Sequence, residues 1–110
     1  MGTIKSSREI DAMFTAATRA SHPLLVILAR STPANRDSSG RTAFVAGKRI
    51  GGAVARNRAK RVLREAARRA DAPWPGFDVV FLARPGVGSA SPAELDRAVV
   101  STLKRAGVLL

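Results

Sequence analysis

Seven cations fall within the fourteen residues RNRAKRVLREAARR at positions 56–69. They are Arg56, Arg58, Lys60, Arg61, Arg64, Arg68 and Arg69, with Asn57 among them and Glu65 as the sole acid. Like charges at this density repel one another unless an anion sits beside them or salt screens them. A guanidinium is a planar fork that grips phosphate at two points and lies flat on a base. The chemistry available here is therefore recognition of a polyanion, not the breaking of a bond.

At 100° per residue, Ala55, Ala59, Val62, Leu63, Ala66 and Ala70 gather on one side of a helix. Arg56, Asn57, Lys60, Arg61, Arg64 and Arg68 gather on the other. The alanine-rich side can lie close on a sheet, which leaves a cationic strip on a rigid element. A merely solvated face would carry interspersed Glu. A membrane-surface helix would offer Trp, Phe or several Leu for insertion, and this one does not. A phosphate backbone is the partner that fits best.

Catalytic machinery is not evident. The acids are Glu9, Asp11, Asp37, Glu65, Asp71, Asp78, Glu94 and Asp96, and they form no cluster suited to a pair of divalent ions. Glu94 and Asp96 stand two apart on a helix and do not face each other. His22 is the only histidine and has no Cys, Asp or Glu near it in sequence. We therefore assign no catalytic and no metal-binding residue. Gly47, Gly51 and Gly52 surround Lys48 and Arg49, but Thr42 and Arg49 stand where a phosphate-binding P-loop needs Gly and Ser or Thr.

The whole chain is consistent with this reading. Its 110 residues suit a single domain, and 19 Lys plus Arg against 8 Asp plus Glu give a formal charge of +11. Lysine contributes only Lys5, Lys48, Lys60 and Lys104. Cysteine is absent, which excludes disulfides and suits a reducing compartment. The run PLLVILA is too short to span a bilayer and the first residues lack a signal-peptide pattern, so a soluble, cytoplasmic protein is expected.

Several elements must position the cationic strip. REIDAMFTAATRA carries Ile10, Met13, Phe14 and Ala17 at helical spacing behind Ser6 and Ser7, a first helix with a serine cap. Residues 24–31 are a continuous apolar run, read as a buried strand, and a short strand at Thr18–Ser21 is weakly signalled. Residues 32–40 have loop chemistry. Residues 41–49 alternate as a second long strand, with Thr42, Phe44, Ala46 and Lys48 on one side. Gly51-Gly52 opens the basic helix at 53–70, and APWPG stops it. Residues 77–84 form another strand. Ser91-Pro92-Ala93-Glu94 is a capping box ahead of a helix with Leu95, Val99, Leu103 and Ala106 inward, ended by Gly107. The order predicts an α+β domain in two layers, helices on a sheet. Trp74, between two prolines, is expected to cover the sheet edge or core.

Taken together, GKRIGGAVARNRAKRVLREAAR resembles the bacterial ribonuclease P protein subunit, a family with a basic pair, glycine, Ala-Val, Arg-Asn-Arg and a helix ending in Leu-Arg-Glu. FDVVFLARPG and LKRAGVLL extend the resemblance over roughly residues 8–110. It implies a small mixed sheet in a two-layer α/β sandwich, with a left-handed β-α-β crossover through the basic helix. It also implies a large catalytic RNA as partner, one protein monomer per RNA, and removal of the 5′ leader from precursor tRNA. The hydrolysis would belong to the RNA and its magnesium ions, with no cofactor on the protein.

Under that resemblance the RNA-binding residues are Lys48, Arg49, Arg56, Asn57, Arg58, Lys60, Arg61, Arg64 and Arg68. A cleft between the first helix and the sheet would hold the leader, with Ile10, Phe14, Leu28 and Phe44 as candidates. Phe14 and Phe44 can also be read as core. Ile10 stands where the family often has a phenylalanine, Leu28 where a tyrosine is common, and Gly47 and Gly52 where Ser and Asn are usual. From charge alone, a ribosomal RNA-binding protein fits too, and a self-sufficient nuclease is opposed by the lack of an acid cluster.

Overall fold

The computed structural model describes residues 4, 7–33 and 39–110. In chain order the elements are α1 (Ser7–Ala16), β1 (Thr18–Ser21), β2 (Leu25–Ser31), β3 (Arg41–Val45), α2 (Ala53–Arg69), β4 (Phe77–Ala83) and α3 (Pro92–Arg105). Short 3₁₀ turns lie at Lys48–Ile50 and Val87–Ser89. The four strands form one mixed sheet in the order β1-β2-β4-β3. β2 pairs antiparallel with both β1 and β4, while β3 runs parallel to β4 and is joined to it through α2. This is the α+β architecture expected, with the crossover through the basic helix in place. The serine cap falls partly outside the described residues, at Ser6, and so does part of the 32–40 loop.

The strand sequences explain the layers. Leu25, Ile27 and Ala29 of β2, with Val79 and Phe81 of β4, face α2 and α3 in the main core. Val26 and Leu28, with Val80 and with Ala43 of β3, face the other way and pack with Met13 of α1 and with Ile4. Helices cover both faces of the central strands, so these read as unbroken apolar runs rather than as alternation. α2 and α3 make the two-layer body, and α1 closes part of the opposite face. Trp74 is buried against Phe81 and donates its indole N–H to the Ala70 carbonyl at 2.9 Å, sealing the turn after α2.

One expected boundary is corrected. The strand read as 41–49 ends at Val45, so Lys48 belongs to a 3₁₀ turn and not to the face of Phe44. Val45 pairs with Leu82, and β4 stops one residue later at Ala83. A strand at the sheet edge cannot outrun its partner, and Gly47 does nothing to extend it.

α3 begins as its sequence predicts. The Ser91 hydroxyl accepts from the Glu94 amide at 3.1 Å, and the Glu94 carboxylate accepts from the Ser91 amide at 3.1 Å. Leu95, Val99, Leu103 and Ala106 are all buried, and Gly107 ends the helix at a φ of 83°.

A buried ion cluster locks α1 to the sheet. Asp78 is the sole charge in β4 and is fully buried. The strand registers set it between Arg30 on β2 and Arg41 on β3. Arg30 donates Nε and Nη2 to it at 3.1 and 3.0 Å. Glu9 of α1 reaches over and accepts from both arginines. The Glu9 carboxylate, with help from Asp78, holds the Arg41 pKa above its ordinary value against the opposing effect of burial. Breaking one partner of a buried ion pair costs about 3–5 kcal/mol, because it strands the other charges. Asp78→Asn should therefore lower stability by about that amount in urea titration, whereas Ser91→Ala should cost about 1 kcal/mol. A loss below about 1 kcal/mol for Asp78→Asn would show that the cluster does not hold the sheet and α1 together.

Candidate nucleic-acid interface

α2 lies on the sheet through Ala59, Leu63, Ala66 and Ala67, all buried. Three of these are alanines, so the helix axis can approach the strands closely. The buried arc is turned slightly from the one expected. Ala67 is in it, and Ala55, placed there by periodicity, is exposed in the first turn of the helix, beside Gly51. Arg56 and Lys60 flank Ala67 around the helix and are half-buried, with their stems along the protein and their charges at the rim. Asn57, Arg58, Arg61, Arg64 and Arg68 are exposed.

The cations of this face lack internal neutralisation. Among the described residues, Arg56, Arg58, Lys60, Arg61, Arg64 and Arg68 form no salt bridge, and neither does Glu65. The acids that do pair are spent elsewhere. Glu9 and Asp78 serve the cluster under α1, and Asp96 takes Arg69 at 2.8 Å across to α3. The Asp96 hydrogen bond raises the Arg69 pKa, an exposed contact of small energetic weight.

Two of the cations carry further constraints. Arg58 points away from the row toward the 3₁₀ turn at 87–89, where its Nε donates to the Gly88 carbonyl at 3.0 Å. Arg64 rests over the Phe44 ring at 5.3 Å. The structure thus separates the expected RNA-binding set into a row on one flank (Arg56, Lys60, Arg61, Arg64 and Arg68, with Asn57) and Arg58 on another. Lys48 and Arg49 are exposed in the 3₁₀ turn before α2. They join Arg19 and Arg84 around a concavity of about 580 Å³ that includes Val26 and Leu82. Arg19 and Arg84 were not expected there. Only strand pairing brings the ends of β1 and β4 to this turn, and no sequence spacing signals it.

The four leader-cleft candidates do not come together as one set: Ile10 and Phe44 border a common groove at the edge of β3, and Phe14 and Leu28 lie outside it. Ile10 is half-buried, and Phe14 is 50% exposed on the outside of α1. Leu28 is only 1% exposed, buried in the cluster that Met13 completes, and so presents nothing to a ligand. Phe44 lies on the other face of the sheet, stacked on Phe81 at 5.1 Å. β3 carries Ala43 toward α1 and Phe44 toward α2, and strand alternation makes any other outcome impossible. His22 accepts the Leu24 amide at its Nδ1 in the β1–β2 turn. Among the described residues no three His, Cys, Asp or Glu side chains converge as a metal site.

Fold and site together describe a small α+β domain built around an unneutralised cationic helix. The sequence model of the family described as Ribonuclease P matches residues 2–107. The ribonuclease P protein component of Brevibacillus brevis is 33% identical over 111 residues, covering 96% of this chain and 83% of that one. The corresponding component of Dehalococcoides mccartyi strain CBDB1 is 40% identical over 87 residues, covering 79% and 69%. Among solved structures, the RNase P protein of Staphylococcus aureus superposes with a TM-score of 0.84 at 20% identity, over 100% of this chain and 99% of that one. The RNase P protein of Thermotoga maritima gives a TM-score of 0.78 at 24% identity, over 96% and 97%. At these identities the two structures speak to the fold. The chain belongs to the ribonuclease P protein component family.

Arg61 is fully on the solvent side of α2, so Arg61→Ala should leave the melting temperature unchanged while weakening RNA binding uniformly across sequences. With about four single-strand phosphates contacted, log affinity against log salt should have a slope near −3, made shallower by the substitution. Binding that ignores salt would contradict the electrostatic account.

Proposed function

We propose that this chain is the RNA-binding subunit of ribonuclease P, assisting a catalytic RNA in endonucleolytic removal of the 5′ leader from precursor tRNA. The observation that carries this reading is the row of cations on α2 in a chain of this family, held out on a rigid helix and, among the described residues, in salt-bridge contact with no carboxylate. The α2 row meets the catalytic RNA. Lys48 and Arg49, with Arg19 and Arg84 beside them, extend the positive surface around the end of the sheet. Phe14, exposed, is the aromatic available to the leader on the α1 side, with Ile10 beside it.

In this reading the protein performs no bond cleavage. Attack on the phosphodiester is left to the RNA and the magnesium ions it holds, and the protein itself requires no cofactor. Its contribution is positive charge fixed in place, which offsets phosphate repulsion between catalytic RNA and substrate and so lowers the magnesium the pair needs. One protein monomer serves each RNA, in the cytoplasm. No helix among the described residues is long and apolar enough to cross a membrane.

Reconstitution with a bacterial ribonuclease P RNA at low magnesium tests the reading. Leader removal from precursor tRNA should be stimulated by the wild-type chain and much less by an Arg61→Ala/Arg68→Ala variant that melts like wild type. No stimulation by the wild type would refute it. Cleavage by protein freed of RNA would point instead to a nuclease.

A further inference from the structure

A groove of about 390 Å³ runs between α2 and the outer edge of β3. Lys60, Arg64 and Arg68 form one wall, Phe44 lies in the floor, and Ile10 and Pro73 contribute apolar surface opposite. The three cations follow one another every four residues, about 6 Å apart along the helix axis. None has a carboxylate partner among the described residues.

The floor is the outer end of a column of flat groups. Trp74 meets Phe81 at 6.0 Å, Phe81 stacks on Phe44 at 5.1 Å with planes 19° apart, and Arg64 covers Phe44 at 5.3 Å. The column starts in the buried core and ends at an exposed planar cation. The Arg64 guanidinium carbon is 5.3 Å from the Phe44 ring centre, and a guanidinium held over a ring in this way can also stack on an unstacked RNA base. The volume suits one or two planar rings and is at the small end for ligand sites.

We propose that this groove is a slot for an unpaired nucleobase of single-stranded RNA, stacked on Arg64 with its flanking phosphates on Lys60 and Arg68. The inference rests on the reading of α2 as an RNA-facing helix and deepens it: the helix reads an unstacked base as well as phosphate charge. The occupant is nucleic acid rather than an acidic peptide because the groove combines a flat cation–aromatic platform with cations on one side only.

The test compares two labelled probes with the full chain at one salt concentration: a six-nucleotide oligoadenylate and an abasic ribose-phosphate oligomer of the same length and charge. Wild type should bind oligoadenylate about 5-fold to 100-fold tighter than the abasic oligomer. Arg64→Lys keeps the charge and removes the plane, and it should bring that ratio down at least about 5-fold. The loss should persist in a Phe14→Ala background. An unchanged ratio in Arg64→Lys, equal binding of the two probes by wild type, or a loss that vanishes with Phe14→Ala would overturn the slot while leaving the RNA-facing helix intact. Failure of both probes to bind at low salt would overturn the underlying reading as well. An acidic hexapeptide that displaced oligoadenylate at equal concentration would assign the groove to a peptide and overturn the slot.

Discussion

The close seating of α2 on the sheet is the constraint from which the rest follows. Ala59, Ala66 and Ala67 present little more than methyl groups to the strands, and Leu63 is the one large side chain of that buried contact. A helix seated this close cannot roll without exposing Leu63 or burying a guanidinium. Either change is expensive: a buried leucine contributes about 2 kcal/mol, and an unpaired buried charge costs more than that. The cations of the row are therefore fixed in direction by the packing of their neighbours, and among the described residues no carboxylate pairs with them.

A second economy concerns the acids. With eight carboxylates against nineteen cations, where each acid sits decides where the positive field is strongest. Asp78 and Glu9 are consumed beneath α1 by Arg30 and Arg41, and Asp96 by Arg69 at the α2–α3 seam. These pairings hold elements together and withdraw negative charge from the solvent-facing row. Glu65, on α2 itself, stays out of salt-bridge reach of that row. Positive charge is thus left unpaired along α2, which suits the steering of a polyanion.

Much of this was legible from residue order, for a local reason. Helix and strand periods, the Ser91–Glu94 box and the Gly51-Gly52 start are set by neighbours in sequence, and the structure reproduces them. What escaped depends on distant partners. β3 stops at Val45 because β4 stops at Ala83. Phe44 and Ile10 fall on opposite faces because register, not composition, assigns faces. The cluster of residues 9, 30, 41 and 78 has no spacing that a pattern could find. The cation row was visible because a helix writes it at fixed intervals. Arg58, which helical spacing leaves off the row, takes its direction from the Gly88 carbonyl thirty residues on, a partner that spacing does not reveal.

Directed cleavage of the RNA is the most direct check on which side of the molecule meets it. The chain has no cysteine, so a single one can carry an iron chelate that cuts nearby RNA. Val54, 85% exposed at the start of α2, and Ser101, exposed on the outer side of α3, allow substitution without touching a cation or the core. Val54→Cys in complex with ribonuclease P RNA should give strong, localised cuts, and Ser101→Cys few or none. Cuts from Ser101→Cys with silence from Val54→Cys would mean that the RNA lies along α3 rather than along α2, and the account would be wrong.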